Sequence, residues 1–138
     1  MNPTDCIFCK IVSGDVPSKK VYEDADTLAF LDIHPTNPGH TLVIPKIHSE
    51  NLYDMSDHSL AASIRAAQKV ARAIKTAVGA DGINLSMNNE RAAGQIIFHP
   101  HFHVIPRFAE DGYKHWGKKE YNEGEAEVVA EKIRTALK

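Results

Sequence analysis

Residues 56–78 carry apolar side chains at intervals of three or four positions, which is the spacing of an amphipathic helix. The repeating positions are Leu60, Ile64, Ala67, Ala71, Ile74 and Val78. Ser56 stands where an N-cap is favoured, and Gly79 follows the last apolar position, where helices commonly end. The pattern therefore predicts one long helix over residues 56–78.

Two shorter helices are predicted near the ends of the chain. Residues 5–11 favour a helix that ends near Gly14, and residues 125–137 show a short amphipathic pattern. The long helix is thus expected to have short terminal helices on either side of it in the sequence.

The remaining apolar segments predict five β-strands. Asp24-Ala25-Asp26 separates the first two as the turn of a hairpin, and Pro45 stops the third. The predicted strands are residues 20–23, 27–33, 40–45, 83–88 and 98–107. Because most strands are hairpin-linked and one long helix falls between the third and fourth, we expect an α+β fold with an antiparallel sheet.

Composition restricts the class of protein. A chain of 138 residues with 43% hydrophobic and 25% charged residues is typical of a single globular domain, here residues 1–138. There is no apolar run long enough for a bilayer and no secretion signal at the start, so we expect a cytoplasmic protein. The net charge of −2 provides no general attraction to nucleic acid or anionic membranes.

Three of the eight histidines alternate at positions 99, 101 and 103. On a β-strand their imidazoles would stand in one row at intervals of roughly 6.6 Å. One interpretation is a set of three ligands for a catalytic metal, and another is a nucleophile whose neighbours handle phosphate charge and protons. A third is chance alternation of solvated or core histidines.

Cys6 and Cys9, the only cysteines, form a Cys-x-x-Cys unit near the start of the chain. In a reducing compartment this spacing indicates metal or redox chemistry more than a structural disulfide. No βαβ pattern of the thioredoxin type surrounds it. Two thiolates with two imidazoles would form a closed tetrahedral zinc site, and a metal-free thiol pair is the alternative.

Two segments carry a specific family likeness. Residues 37–48 read Asn-Pro-Gly-His-Thr-Leu-Val-Ile-Pro-Lys-Ile-His, and residues 94–103 read Gly-Gln-Ile-Ile-Phe-His-Pro-His-Phe-His. Together with Asp32-Ile33 they closely resemble the histidine-triad (HIT) family, and within it the Hint-like and bacterial Hit branch of nucleotide hydrolases. The likeness covers residues 6–107 and leaves 108–138 as a C-terminal extension.

The resemblance implies an activity and roles for individual residues. Family members cleave purine nucleoside phosphoramidates or dinucleoside polyphosphates at the α-phosphate, as hydrolases or nucleotidyl transferases. His101 would attack phosphorus and form a nucleotidyl-histidine intermediate, while His103 and His40 would hydrogen-bond the phosphate and leaving-group oxygens. Asp32 would accept the two ribose hydroxyls.

The resemblance also implies the rest of the nucleotide site. Asn88 and Gln95 correspond to the polar residues on the phosphate side. The base would lie in an apolar slot lined by Ile7, Phe8, Ile11, Phe30, Ile33 and Leu42. Apolar residues of this kind are more often ordinary core than part of a binding site, so core packing is the alternative for each of the six.

The resemblance implies zinc ligands and a homodimer as well. Cys6, Cys9, His48 and His99 would bind one structural zinc per chain. The dimer would pair the long helices and join two five-stranded sheets, and small residues on the helix would permit close approach: Ala61, Ala62, Ala66, Ala67 and Ala73.

Several positions depart from the family pattern. Ile96 stands where some Hint-like relatives have a serine, and Glu90-Arg91 changes the loop before Gly94. Pro100 removes a backbone donor, so the triad strand must be unpaired or bulged there. Two other functions stay open beside the hydrolase: a nucleotide-binding or sensing protein with little turnover, and a His₃ metallohydrolase.

Overall fold

The computed structural model describes residues 3–138 and contains one five-stranded sheet. The strands are β1 (Lys20–Glu23), β2 (Thr27–Leu31), β3 (Thr41–Pro45), β4 (Gly82–Ser86) and β5 (Phe102–Arg107). Their order is β1-β2-β3-β5-β4, and every neighbouring pair is antiparallel. The predicted α+β architecture is therefore confirmed.

The helices are α1 (Ile7–Ser13), α2 (Asp57–Val78) and α3 (Glu125–Leu137), with 3₁₀ turns at Pro3–Asp5, Leu52–Asp54 and Arg91–Ala93. The long helix α2 has the ends that its capping residues predict. The Ser56 hydroxyl accepts the Ser59 N–H at 3.1 Å, and Gly79 takes a left-handed φ of 66° and donates to the Lys75 carbonyl.

Helices cover both faces of the sheet. On one face, α2 packs its buried side chains, such as Ala67 and Val70, against Val43, Phe102 and Val104. On the other face, α1 packs Phe8 and Ile11 against a second cluster that comprises Leu28, Phe30, Leu42 and Ile44. The central strands β2 and β3 are therefore buried on both faces, and α1 packs directly on them.

The strand that carries the histidines is shorter than predicted. β5 begins at Phe102 instead of residue 98, so His99 and His101 precede it and only His103 lies on the strand. Pro100 explains the difference, because it has no N–H to donate to a neighbouring strand. The predicted row of three imidazoles on one strand is wrong.

Strand alternation places His103 on the α1 side of the sheet. Its neighbours Phe102 and Val104 point into the α2 cluster, so the side chain between them points to the opposite face. Three other strand ends differ slightly from the prediction. β2 ends at Leu31 and not at residue 33, and β3 begins at Thr41 and not at residue 40. β4 ends at Ser86 and not at residue 88.

Gly39 shapes the loop between β2 and β3. Its φ is 102°, and an added Cβ would lie 3.3 Å from Cγ1 of Val78 and 3.4 Å from Cγ of Pro106. A glycine satisfies both the left-handed backbone and the close approach. This turn holds His40 directly before β3, whose residue Leu42 pairs with His103 of β5.

The C-terminal helix α3 matches the prediction, but within the described chain it has no buried side chain. Among the helices of residues 3–138, none is both long and apolar enough to cross a bilayer.

Candidate functional site

A cavity of about 560 Å³ lies where α1, the β2–β3 connection and the segment before β5 meet. The six apolar residues predicted for the base slot all line it. Phe8, Ile11, Phe30 and Leu42 also belong to the core beneath α1, whereas Ile7 and Ile33 are exposed at the edge. Four of the six are thus both core and cavity wall. Asp32, Asn88, His101 and His103 supply polar groups to the same cavity.

The His101 ring has one nitrogen committed to the backbone and one left for chemistry. Its Nδ1 lies 2.8 Å from the His99 carbonyl oxygen, and since a carbonyl only accepts, Nδ1 carries the proton. Burial lowers the pKa of His101, although the carbonyl and Asp32 oppose this, so the ring is neutral near pH 7. Nε2 therefore keeps its lone pair, as a nucleophile requires.

The two other histidines of the cavity region form a hydrogen-bonded chain whose direction can be assigned. The Thr36 N–H donates to His40 Nδ1 at 3.0 Å, so the neutral His40 ring holds its proton on Nε2. That nitrogen lies 2.9 Å from His103 Nδ1 and donates to it. The remaining proton of His103 consequently sits on Nε2, which makes His103 a donor toward a ligand in the cavity.

Burial keeps this chain uncharged. It lowers the pKa of His40, with the Asp32 carboxylate acting in the opposite direction. The pKa of His103 falls to about 4, because burial and then the neighbouring rings His101 and His40 disfavour a positive charge. His40 and His103 therefore keep the same protonation state, and the same hydrogen-bond direction, through the neutral pH range.

Asp32 lines the cavity, and each of its carboxylate oxygens contacts a neighbouring group. Oδ1 accepts the His34 N–H at 2.9 Å, and Oδ2 lies 3.5 Å from His40 Nε2. Its side chain is only partly buried, so lone pairs of the carboxylate stay available to hydroxyl donors of a ligand.

Asn88 and Gln95 have different positions. The Asn88 side chain lines the cavity and has no hydrogen bond to other described residues. Gln95 is 3% exposed and does not line the cavity. Its amide donates to the Glu50 carbonyl at 2.7 Å and to the Ile97 carbonyl at 3.1 Å, and its oxygen accepts the Glu90 N–H at 2.7 Å. The structure thus places Gln95 behind the cavity wall, where its side chain holds the loop that carries Glu90, and its contact with a nucleotide stays a prediction.

A second cluster contains Cys6, Cys9, His48 and His99, whose ligating atoms all lie within 4.8 Å of one another. The sulfur–nitrogen separations are 3.4, 3.5 and 3.6 Å, and the two Nδ1 atoms are 3.2 Å apart. Tetrahedral zinc with ordinary bond lengths requires about 3.5 Å and about 3.3 Å for these pairs. The four residues fit one zinc ion.

The surroundings of the cluster also suit a cation. His99 Nε2–H donates to the Pro45 carbonyl at 2.8 Å, so Nδ1 presents its lone pair to the two sulfurs. Burial and the neighbouring Cys6 raise the pKa of the Cys9 thiol to about 11, because two adjacent thiolates need a positive charge to form. Cys6 is the N-cap of α1 and accepts the Cys9 N–H at 3.4 Å.

The three triad histidines do not converge on one point. Among the described residues, His99 belongs to the cysteine cluster, whereas His103 groups with Asp32 and His40. In the latter group the nitrogens are 2.9 Å apart, which is shorter than the ~3.3 Å between two ligands of one tetrahedral metal. A hydrogen bond accounts for this distance, and the geometry does not favour a His₃ metal centre.

Two groups that organise the site lay outside the sequence interpretation. The Thr36 N–H sets the protonated nitrogen of His40, and the Pro45 carbonyl sets that of His99. Both are backbone atoms, so residue types alone carry no signal for them.

Comparisons with known proteins agree with this geometry. Residues 13–110 match the HIT domain family. The Hit protein of Bacillus subtilis is 51% identical over 110 residues, which cover 79% of this chain and 76% of the relative. An adenosine 5′-monophosphoramidase of Schizosaccharomyces pombe is 48% identical over 106 residues, or 77% of each chain.

Solved structures show the same fold. A protein from Streptococcus mutans has a TM-score of 0.93 at 47% identity, covering 100% of this chain and 87% of that one. A zinc-bound histidine triad protein from Mycobacterium smegmatis has a TM-score of 0.78 at 37% identity, covering 98% and 99%. The chain therefore belongs to the HIT family.

Proposed function

We propose that this protein is a nucleotide hydrolase or nucleotidyl transferase that cleaves purine nucleoside phosphoramidates or dinucleoside polyphosphates at the α-phosphate. The observation that carries the proposal is the His101 ring, whose Nδ1–H is bound to the His99 carbonyl at 2.8 Å. Its neutral Nε2 faces the cavity as a nucleophile.

The reaction proceeds in two displacements. His101 Nε2 attacks the α-phosphorus, the bond to the leaving group breaks, and the leaving group takes up a proton. Water then attacks the nucleotidyl-histidine and releases the nucleoside monophosphate. His103 Nε2–H and the Asn88 amide hydrogen-bond the phosphoryl oxygens, where negative charge develops, and His40 holds His103 in its donating form.

Asp32 and the apolar slot bind the nucleoside. The purine lies between the side chains of α1 and those of β2 and β3, and the carboxylate accepts the ribose hydroxyls. Ile7, Phe8, Ile11, Phe30, Ile33 and Leu42 form the walls of this slot.

Cys6, Cys9, His48 and His99 would hold one structural zinc. Bound there, the metal supplies rigidity, since four protein ligands close its coordination shell. The metal would affect catalysis only by positioning, because its ligand His99 also provides the backbone carbonyl that orients the His101 ring. The free thiols of Cys6 and Cys9 suit a cytoplasmic, reducing location.

Trapping of the intermediate tests the proposal. Protein mixed rapidly with adenosine phosphoramidate labelled at phosphorus is quenched in alkaline denaturant, in which a phosphorus–nitrogen bond to histidine survives. We expect label on the peptide that contains His101, and turnover that persists in chelator. Saturable binding without label or turnover would instead establish a binding protein. Loss of turnover on chelation at a temperature where the fold persists, with no label, would establish a metallohydrolase.

Replacing Asp32 with alanine is expected to weaken binding of adenosine monophosphate at least about tenfold more than binding of its 2′,3′-dideoxy analogue. Hydrogen bonds to a charged group contribute about 1.5–3 kcal/mol, and the dideoxy ligand lacks both donors. Calorimetric titration measures the two affinities, with the exposed Asp57→Ala as the matched control. Equal losses for both ligands would reject the ribose role.

We further propose a homodimer that pairs α2 with its counterpart and extends the sheet across β4, one of its two outer strands. Ala66 and Ala67 are buried against this protomer's own sheet and are unavailable to a partner, which corrects their expected role. Ala61, Ala62 and Ala73 are less buried. Light scattering should give a mass about twice 15.3 kDa, and a mass of 15.3 kDa at micromolar concentration would exclude the dimer.

A further inference from the structure

The backbone of Thr36 contacts two different parts of the molecule. Its N–H donates to His40 Nδ1 at 3.0 Å, within the loop between β2 and β3. Its carbonyl accepts the hydroxyl of Tyr113 at 3.0 Å, although the two residues are 77 positions apart in the chain. The residue that sets the protonated nitrogen of His40 is therefore held by the C-terminal extension, residues 108–138.

The same loop has a second attachment next to Thr36. The Asn37 side-chain amide donates to the Pro106 carbonyl at 2.9 Å and to Asp111 Oδ2 at 3.1 Å. Three hydrogen bonds thus join this part of the loop to β5 and the segment after it. Because residues 34–35, which precede it, are exposed, these bonds define its position more than packing does.

Tyr113 is itself held in a defined place. Arg107 Nη2 donates to the Tyr113 carbonyl at 3.0 Å, and the guanidinium carbon lies 5.7 Å from the centroid of the Tyr113 ring. The Tyr113 N–H donates to Asp111 Oδ1 at 3.1 Å. Asp111 in turn pairs with Arg107 at 2.7 Å, and this bond holds the pKa of its carboxyl well below the usual range. The hydroxyl is therefore presented to the loop by a residue that is fixed at both of its backbone groups.

The direction of the histidine chain depends on the Thr36 N–H. With this donor at Nδ1, His40 carries its proton on Nε2 and donates to His103 Nδ1 at 2.9 Å. Without it, a neutral His40 can hold the proton on Nδ1, and its Nε2 then accepts from His103. In that arrangement His103 Nε2 has no proton and faces the cavity as an acceptor. The reversed chain offers a phosphoryl oxygen no donor from His103.

The carboxylate of Asp32 is a weaker determinant of this direction. Its Oδ2 lies 3.5 Å from His40 Nε2, which favours a proton there, but the distance is longer than that of an ordinary hydrogen bond. The Thr36 N–H is closer to the ring, at 3.0 Å. A displaced Thr36 should therefore change the tautomer of His40.

We propose that Tyr113 is a positioning residue: through the Thr36 carbonyl it holds the loop so that the Thr36 N–H keeps His40 and His103 in their donating tautomers. The inference rests on the proposed function, in which His103 donates to the phosphoryl group. Tyr113 does not line the cavity, so it acts without touching the substrate. The C-terminal extension thereby takes part in catalysis.

Tyr113→Phe tests this inference, because it removes the hydroxyl and keeps the ring beside Arg107. The whole chain, with nitrogen-labelled histidine, is studied by NMR at neutral pH, where protonated and bare ring nitrogens have different shifts. The His40 signals are identified by their absence from the spectrum of His40→Asn. We expect the wild type to be protonated on His40 Nε2, and Tyr113→Phe to contain a measurable share of the form protonated on Nδ1.

Steady-state kinetics on adenosine phosphoramidate measure the consequence. Tyr113→Phe should lower kcat about threefold to tenfold, since one neutral hydrogen bond changes an equilibrium constant by about this factor. KM should stay within about twofold, because the nucleoside slot is unchanged. Asn37→Ala, which removes the other attachment of the loop, should change kcat and the tautomer in the same direction. Tyr121→Phe, which alters an exposed tyrosine before α3, is the matched control and should equal the wild type in both measurements.

The outcomes separate this inference from the proposed function. An unchanged tautomer and kcat in Tyr113→Phe, or a lower kcat with an unchanged tautomer, would overturn the role of Tyr113 and leave the hydrolase intact. Wild-type protein without turnover would overturn the proposed function and the catalytic part of this inference with it. The NMR spectra report the control of the His40 tautomer by Tyr113 whether or not turnover is found.

Discussion

Replacing His101 with asparagine is expected to abolish turnover while nucleotide binding persists. The asparagine amide can take the place of Nδ1 and donate to the His99 carbonyl, so the local backbone keeps its contact. No atom replaces Nε2, and the bond to phosphorus cannot form. Losing a nucleophile lowers kcat on the order of 10³-fold or more.

A binding measurement on His101→Asn and a control variant separate chemistry from folding. Calorimetric titration with adenosine monophosphate should give an affinity within about threefold of wild type, because Asp32 and the apolar slot are unchanged. His58→Asn, which alters an exposed histidine paired with Asp26, is the matched control and should keep full activity. A wild-type rate in His101→Asn would eliminate the covalent mechanism.

Local signals in the sequence predict the helices well. The ends of α2 depend on Ser56 and Gly79, whose capping bonds involve residues only three or four positions away. Information this local is contained in a short stretch of sequence. The hairpin of β1 and β2 is predicted for the same reason, since Asp24 accepts the backbone N–H groups of Asp26 and Thr27 within its own turn.

The histidine segment shows what alternation alone cannot predict. His99 turns toward Cys6, which is 93 residues earlier in the chain, and toward the Pro45 carbonyl. Such long-range contacts override the strand periodicity. Pro100 also lacks the N–H that a strand at this position would donate to its neighbour, so the alternation does not extend back to His99. The family likeness, and not the alternation, assigns His99 to the cysteine cluster and His101 to the cavity.

Protonation states depend on the same kind of contact. His40 and His103 become donors in a fixed direction only because the Thr36 N–H reaches His40 Nδ1. Gln95 resembles a ligand-contacting residue in sequence, yet its three hydrogen bonds are directed to backbone atoms. Residue identity indicates which chemistry is present, and tertiary contacts decide where each nitrogen and amide points.

The protein is expected to purify with about one zinc per chain, bound by the Cys6, Cys9, His48 and His99 cluster. Cys6 and His99 are both fully buried, so loss of the metal leaves one thiol and one imidazole inside the core without the cation that they bind. Because Cys6 caps α1 and His48 follows β3, the site ties the N-terminal helix to the sheet. Zinc removal should therefore lower stability more than it changes the chemistry.

Cys9→Ser and His48→Ala should each lower the zinc content and reduce Tm by at least about 10 °C, which corresponds to about 3 kcal/mol in a chain of this size. A reduced but measurable rate should persist at low temperature, because His101 bonds to a backbone carbonyl and not to the metal. His58→Ala serves as the control for histidine loss. Elemental analysis and thermal unfolding measure both effects.

A His₃ metallohydrolase would instead lose metal on substitution of His101 or His103 and tolerate Cys9→Ser. Metal-free wild-type protein that melts no lower than the zinc-loaded form would refute the structural zinc.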